Sequence, residues 1–193
     1  MTPELYYVTS NVGKYEMVKE YCSNKSNIKI QHVDIDMIEE QHMELRHIAL
    51  SKAQQAWDAV QKPVLVDDAG IYFDRYNQFP GAMSKFVYQS LGFAGLYRLY
   101  DEGDTAQFAT YLAYHNGEHA LVFEGVVSGT LIKPQGLSAA QNLPYLHLLV
   151  PTGQTESLYS LMYTHGNLSF NPRIKALQQF LAYYQNSSTI EAQ

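Results

Sequence analysis

Pro63-Val64-Leu65-Val66-Asp67-Asp68-Ala69-Gly70 joins an apolar run to two carboxylates and a glycine. The uninterrupted apolar run at 64–66 marks a buried central strand, and it ends in Asp67-Asp68-Ala69-Gly70. Adjacent carboxylates at the end of such a strand stand where open α/β sheets place their ligands, at the carboxyl edge. Hard divalent cations prefer oxygen ligands, and Mg²⁺ usually takes only one or two carboxylates, leaving the rest to water and substrate phosphates. Two aspartates that simply begin a turn before Gly70 would leave the same letters, so this segment alone does not choose.

Upstream of the strand, residues 43–60 place Leu45, Ile48, Ala49, Ala53, Ala56, Trp57 and Val60 at a 3.6-residue rhythm, which predicts a helix that Pro63 ends. An acidic connection at 34–41 precedes it. Before that come a short strand at 4–9, a helix at about 13–22 and a strand at 28–33, the start of an α/β unit. Downstream, Phe79-Pro80-Gly81 reads as a turn, followed by helical material to about Tyr100. Residues 107–115 and 120–132 read as long strands around Asn116-Gly117, with His115 and His119 solvated beside the turn. Signals between 133 and 163 are weak, with a strand at 148–150 and a short helix at 156–163. Asn171 and Pro172 open a last helix with Ile174, Leu177, Leu181 and Tyr184 on one face, and a polar, frayed tail follows from Asn186.

Composition narrows the function. The chain has 193 residues, 46% hydrophobic and 17% charged, which excludes global disorder. A net charge of −6 lacks the footprint of a nonspecific nucleic-acid or anionic-membrane binder. The single cysteine, Cys22, excludes an intramolecular disulfide and reads as a small core residue. There is no run of about 18 apolar residues, and the opening residues do not read as a secretory signal, so a cytoplasmic protein is expected.

A second segment, Thr9-Ser10-Asn11-Val12-Gly13-Lys14, lies at the first strand-to-helix junction. Backbone N–H groups at a helix start can hold a phosphate. Lys14 opposes the helix dipole there, which argues for an anionic partner. The P-loop spacing is absent, and an ordinary capped helix with a surface lysine fits equally well. Between Leu99 and Pro172 one basic residue, Lys133, faces six acidic ones. A polyphosphate would therefore be held by Lys14, Lys52 and Lys85, or by Arg173 and Lys175.

Taken in order, Thr9-x-Asn11-x-x-Lys14, Lys52-Ala53, Pro63-Val-Leu-Val-Asp67-Asp68-Ala-Gly70 and Pro80-Gly81-x-x-x-Lys85 resemble the inosine triphosphate pyrophosphatase family, also called XTP/dITP diphosphatases. Phe123-x-Gly125-x-x-x-Gly129 and Pro134-x-Gly136 continue the pattern, so the resemblance covers residues 4–136 and, more faintly, 173–177. It implies an elongated α/β fold with a central mixed sheet flanked by helices, two lobes with a cleft between them, and a homodimer. It also implies Mg²⁺-dependent hydrolysis, with Mn²⁺ as an alternative ion, of nucleoside triphosphates such as ITP, dITP and XTP to the monophosphate and pyrophosphate. Carried over, Thr9, Asn11 and Lys14 bind the triphosphate, with Lys52, Lys85 and Arg173 near the phosphates. Asp67 and Asp68 serve the metal, and the catalytic pair is Asp68, as the base or water-positioning group, with Lys14.

The departures are specific. Where the family carries a metal-binding glutamate before Lys52-Ala53, this chain has His47, with Glu44 one helical turn earlier as the alternative donor. The family's base-holding segment is matched only by Ala139-Ala140-Gln141-Asn142-Leu143-Pro144, and its Ser-His-Arg by Asn171-Pro172-Arg173. The phosphate half is kept and the base half rewritten, so an altered base preference is expected. A non-catalytic nucleotide binder and a hydrolase of another phosphorylated metabolite stay open beside this reading.

Overall fold

The computed structural model describes residues 3–77, 79–138 and 143–190. Six strands form one mixed sheet in the order β2-β1-β3-β4-β5-β6. They are β1 (Glu4–Val8), β2 (Lys29–Val33), β3 (Val64–Phe73), β4 (Thr105–His115), β5 (Ala120–Leu131) and β6 (Leu149–Pro151). β1 runs parallel to both β2 and β3, whereas β3 to β6 are antiparallel. The helices are α1 (Val12–Lys25), α2 (Leu45–Val60), α3 (Ser84–Leu96) and α4 (Pro172–Ile190).

β3 does not stop at the aspartates. It continues to Phe73, paired with β4 over its whole length from Val64↔His115 to Phe73↔Ala106. The apolar run breaks at Asp67 because the strand leaves one core and enters another. Leu65 packs with Leu5, Tyr7, Val18 and α4, and Val64 and Val66 pack under α2. Ile71 and Phe73 belong to a third cluster with Leu96, Tyr100, Tyr145 and Leu148. Asp67 to Gly70 span the gap between these two lobes, so the aspartates lie in mid-strand on the floor of a cleft rather than at a strand end.

Other differences are local. α2 starts at Leu45, with Glu44 at its N-cap in extended backbone. A 3₁₀ turn at Gly81–Met83 precedes α3, which bends at Gly92, where φ is 58°. The helical segment near 156–163 is a short π-helical turn at Ser160–Thr164. α4 runs past Asn186 to Ile190, since no Gly or Pro there interrupts its hydrogen-bond ladder. His115 is not solvated: it is 6% exposed and stacks on Trp57. Cys22 is buried, and burial pushes its thiol up to about 12. No described helix is long and apolar enough to cross a membrane.

Gly70 and Gly125 carry close approaches. A Cβ at Gly70 would stand 2.2 Å from the Gly81 carbonyl oxygen, so this position seats the turn that leads into α3. A Cβ at Gly125 would stand 1.9 Å from the Pro172 carbonyl oxygen, so β5 must be bare for the first turn of α4 to sit down. That turn carries Arg173.

Candidate active site

Between the lobes lies a cleft of about 970 Å³. β1 pairs with β3 only at Tyr6↔Val64 and Tyr7↔Leu65. Between Val66 and Ile71 no strand lies beside that edge among the described residues, so the cleft opens there. Side chains alternate across a strand, and the two aspartates accordingly face opposite ways and take different partners.

Asp67 points under α1 and α4. Its side chain is fully enclosed; Oδ2 accepts from Lys14 Nζ at 3.2 Å and Arg173 Nε at 3.0 Å, and Oδ1 accepts from the Tyr7 hydroxyl. Burial by itself would raise the Asp67 pKa, but Arg173, Lys14 and the Tyr7 hydroxyl outweigh it and hold the carboxyl well below its usual range. Burial and the Asp67 charge together push the Tyr7 hydroxyl well above its ordinary value, keeping it a donor. Arg173 is raised too, because Asp67 outweighs the cost of burying it.

Asp68 points toward α2 and keeps 23% of its side chain exposed. Oδ2 accepts from Lys52 Nζ at 2.9 Å, and Oδ1 accepts from the Ala69 N–H at 2.9 Å. Lys52 occupies a position on the buried stripe of α2, beside Ile48, Ala49, Ala53 and Ala56. Its ammonium reaches the cleft and also donates to Glu39 Oε1 at 3.0 Å. Burial disfavours its charge, yet Asp68 and Glu39 more than compensate and raise its pKa. The Lys52 hydrogen bond in turn lowers the Glu39 carboxyl.

Local structure explains the remaining placements. Asn11 caps α1, with Oδ1 accepting from the Lys14 N–H at 3.1 Å, and Thr9 Oγ1 accepts from the Asn11 N–H at 3.1 Å. Asn171 caps α4 through Arg173 N–H at 2.9 Å and Ile174 N–H at 3.3 Å. Lys14 and Arg173 thus sit in the first turns of two helices, against the dipole, and the buried Asp67 is the anion that offsets both. Thr9, Asn11, Lys14, Lys52, Asp67, Asp68, Lys85 and Arg173 all line the cleft.

Glu44 does not line it: the residue is exposed at the start of α2. His47 is exposed as well and is bonded to Glu40 at 2.9 Å. The carboxylate that stands beside Lys52 and Asp68 is Glu39, from the irregular connection between β2 and α2. Sequence reasoning missed it, and the only signal was the acidity of that connection. Lys175 is spent on the Val126 carbonyl at 3.1 Å. Residues 139–142, the nearest match to a base-holding segment, lie outside the described residues; Leu143 and Pro144 line the cleft, with Phe108, Tyr88, Tyr145 and Tyr163.

The donor set can be tested against a divalent cation. Glu39 and Asp68 offer hard carboxylate oxygens around a single ammonium, the Glu39 side chain largely exposed and that of Asp68 partly so. Among the described residues no group of three His, Cys, Asp or Glu side chains could hold a metal. That excludes a closed protein cage of described side chains, but it fits an ion that takes two carboxylates and completes its shell with water and phosphate oxygens.

Comparisons with known proteins give the family and agree with the fold. The Ham1 family model matches residues 5–183, so the chain belongs to the Ham1 family. An inosine triphosphate pyrophosphatase of Kluyveromyces lactis is 30% identical, over 96% of this chain and 97% of the relative. A dITP/XTP pyrophosphatase of Methanopyrus kandleri is 27% identical, over 95% and 97%. The structure of a HAM1 protein from Coxiella burnetii has the same fold, with a TM-score of 0.76 at 18% identity over 95% of this chain and 99% of that one.

Proposed function

We propose that this protein is a nucleoside triphosphate pyrophosphatase that hydrolyses non-standard purine nucleotides, such as ITP, dITP and XTP, to the monophosphate and pyrophosphate. The observation that carries the reading is convergence: Lys14, Lys52, Lys85 and Arg173 meet the carboxylates of Asp68 and Glu39 in one cleft between two lobes. A triphosphate resists nucleophiles because its oxygens are negative. Fixed cations offset that charge, so positioning and electrostatics supply most of the acceleration and no nucleophilic Ser or Cys is required. Relatives along nearly the whole chain carry the names of such pyrophosphatases.

In this reading Lys14 and Lys85 hold phosphate oxygens from the two lobes, and Arg173 adds its charge from beneath. Asp67 is a positioning residue, since its side chain is wholly enclosed among Tyr7, Lys14 and Arg173, whereas that of Asp68 stays open to the cleft. Asp68 orients the attacking water and accepts its proton as the bond between the α-phosphorus and the bridging oxygen breaks and pyrophosphate leaves. Asp68 and Glu39 would hold Mg²⁺, or Mn²⁺ in its place. The bound ion supplies Lewis-acid neutralisation of phosphate charge. The family resemblance also implies a homodimer, which light scattering would report as twice the 21.9 kDa of one chain. A cytoplasmic setting suits the acidic chain with its one buried thiol, and cell fractionation would check it.

The test is pyrophosphate release from a panel of nucleoside triphosphates with Mg²⁺ or Mn²⁺. Asp68→Asn is expected to fold normally and lose about 10²- to 10⁴-fold in kcat. A wild type that binds triphosphates without releasing pyrophosphate with either ion would overturn the catalytic reading and leave a nucleotide binder.

A further inference from the structure

Glu39 lies in a connection without helix or strand, yet its carboxylate is in register with Lys52 and Asp68. A stripe of α2 accounts for that. His47, Ser51 and Gln55 follow one another at four-residue spacing, which puts them on one face of the helix. Gln55 grips Ile38 at both backbone groups: Oε1 accepts from the Ile38 N–H at 2.8 Å, and Nε2 donates to the Ile38 carbonyl at 3.0 Å. On the other side of Glu39, the Glu40 carboxylate accepts from Ser51 Oγ at 2.7 Å and pairs with His47 Nε2 at 2.9 Å. The connection therefore runs antiparallel to α2, pinned one residue before Glu39 and one residue after it.

These contacts are not what core packing would produce. Apolar packing holds the connection at Ile35 and Met37, but Ile38 itself is 77% exposed, and from there the Gln55 amide supplies both backbone partners. Gln55 does not touch the cleft, and neither does Glu40. We propose that Gln55, with Ser51 and His47, is a positioning device for Glu39: by clamping Ile38 and Glu40 it fixes where the Glu39 carboxylate stands beside Asp68, and so sets the affinity of the site for its divalent cation. This rests on the reading of Glu39 and Asp68 as the ion-facing carboxylates.

The experiment compares wild type with Gln55→Leu, Gln55→Glu and Glu39→Gln. Mn²⁺ binding is followed by electron paramagnetic resonance in the presence of a non-hydrolysable triphosphate analogue, and hydrogen exchange is followed over residues 34–41. Partners that orient a metal ligand typically matter by 10- to 100-fold. Gln55→Leu is therefore expected to weaken Mn²⁺ binding about 10-fold and to speed exchange at 34–41 while α2 stays protected. In turnover the Mg²⁺ concentration for half-maximal rate rises, with kcat at saturating Mg²⁺ close to wild type. Gln55→Glu keeps the acceptor for the Ile38 N–H and loses the donor, so it should fall between the two and rescue part of the loss. Unchanged Mn²⁺ affinity in Gln55→Leu, while Glu39→Gln weakens it, overturns the positioning role and leaves the cation reading intact. Unchanged affinity in Glu39→Gln removes the ligand itself and overturns both. Should Gln55→Leu fail to fold, Gln55→Glu decides the matter alone, by an intermediate or an absent effect on Mn²⁺.

Discussion

Asp67 shows what a single buried charge costs and what it organises. Its carboxylate has left water completely and survives as an anion only because Lys14, Arg173 and the Tyr7 hydroxyl occupy its oxygens. Removing one partner of such a set is more damaging than the net worth of any one bond, since the remaining groups stay buried and unmet. Tyr7→Phe tests this with little change in shape, because Tyr7 is otherwise packed among Leu5, Leu65 and α4. The loss of its hydroxyl leaves Oδ1 of Asp67 without a donor and is expected to cost about 1–3 kcal/mol. Denaturant unfolding would read this as a lower midpoint at unchanged slope. A midpoint equal to wild type would mean that water replaces the hydroxyl and that Oδ1 is not isolated. The depressed pKa of Asp67 makes its own contribution present at neutral pH and lost only as pH falls below the ordinary carboxylate value of 3.8.

Among the elements, the hairpin of β4 and β5 holds a titrating group of opposite history. His115 lies at the end of β4 between Trp57 and Gln54 of α2. The Gly117 N–H donates to Nδ1 at 2.9 Å, so the ring proton sits on Nε2, which donates to Gln54 Oε1 at 3.1 Å. The neutral ring satisfies both contacts, and a second proton would break the one to Gly117. Burial lowers the His115 pKa from 6.5, opposed by Asp58. A folded pKa below the unfolded one means that the unfolded chain binds more protons. His115 therefore favours the folded state above pH 6.5, and that advantage is lost as pH falls through 6.5 toward the folded value. Unfolding free energy is expected to decline from pH 7 to pH 5 in wild type, and to decline less in His115→Gln; equal slopes would remove His115 as the cause. The same elements show what periodicity can and cannot find. α2 is legible because its buried Leu45, Ile48, Ala49, Ala53 and Ala56 keep a single rhythm. β3 is legible only to Val66, because its second half packs in a different core across two charged residues. His115 looks like a turn residue until Trp57, distant in sequence, covers it. Lys14 announces its anion by opposing a helix dipole, while Glu39 announces nothing, since irregular backbone has no period to read.

Across the molecule, three long strands run through both lobes, and the cleft lies where the middle of β3 and of β4 is left uncovered. The cations come from both sides of that gap: Lys14 and Lys52 from α1 and α2, Lys85 from the start of α3 beyond the Gly81 turn. A triphosphate held by all of them would tie the lobes together and stabilise the folded chain by mass action, about 2.7 kcal/mol at a free concentration 100 times its dissociation constant. Lys85 isolates that effect. It is exposed, and among the described residues it carries no salt bridge, so Lys85→Ala should leave the melting temperature of the free protein unchanged. Lys14 and Lys52 could not serve, because each neutralises a carboxylate of the fold. With a non-hydrolysable triphosphate at fixed concentration, wild type should melt several degrees higher than without it. Lys85→Ala should keep less than half of that gain, and a further rise in ligand concentration should restore it, since mass action depends only on the ratio of concentration to affinity. Full stabilisation of the variant at the same concentration would mean that the phosphates are gripped from one lobe alone. The charge of Lys85 would then serve the long-range field that also lowers the Glu39 carboxyl, and not the substrate directly.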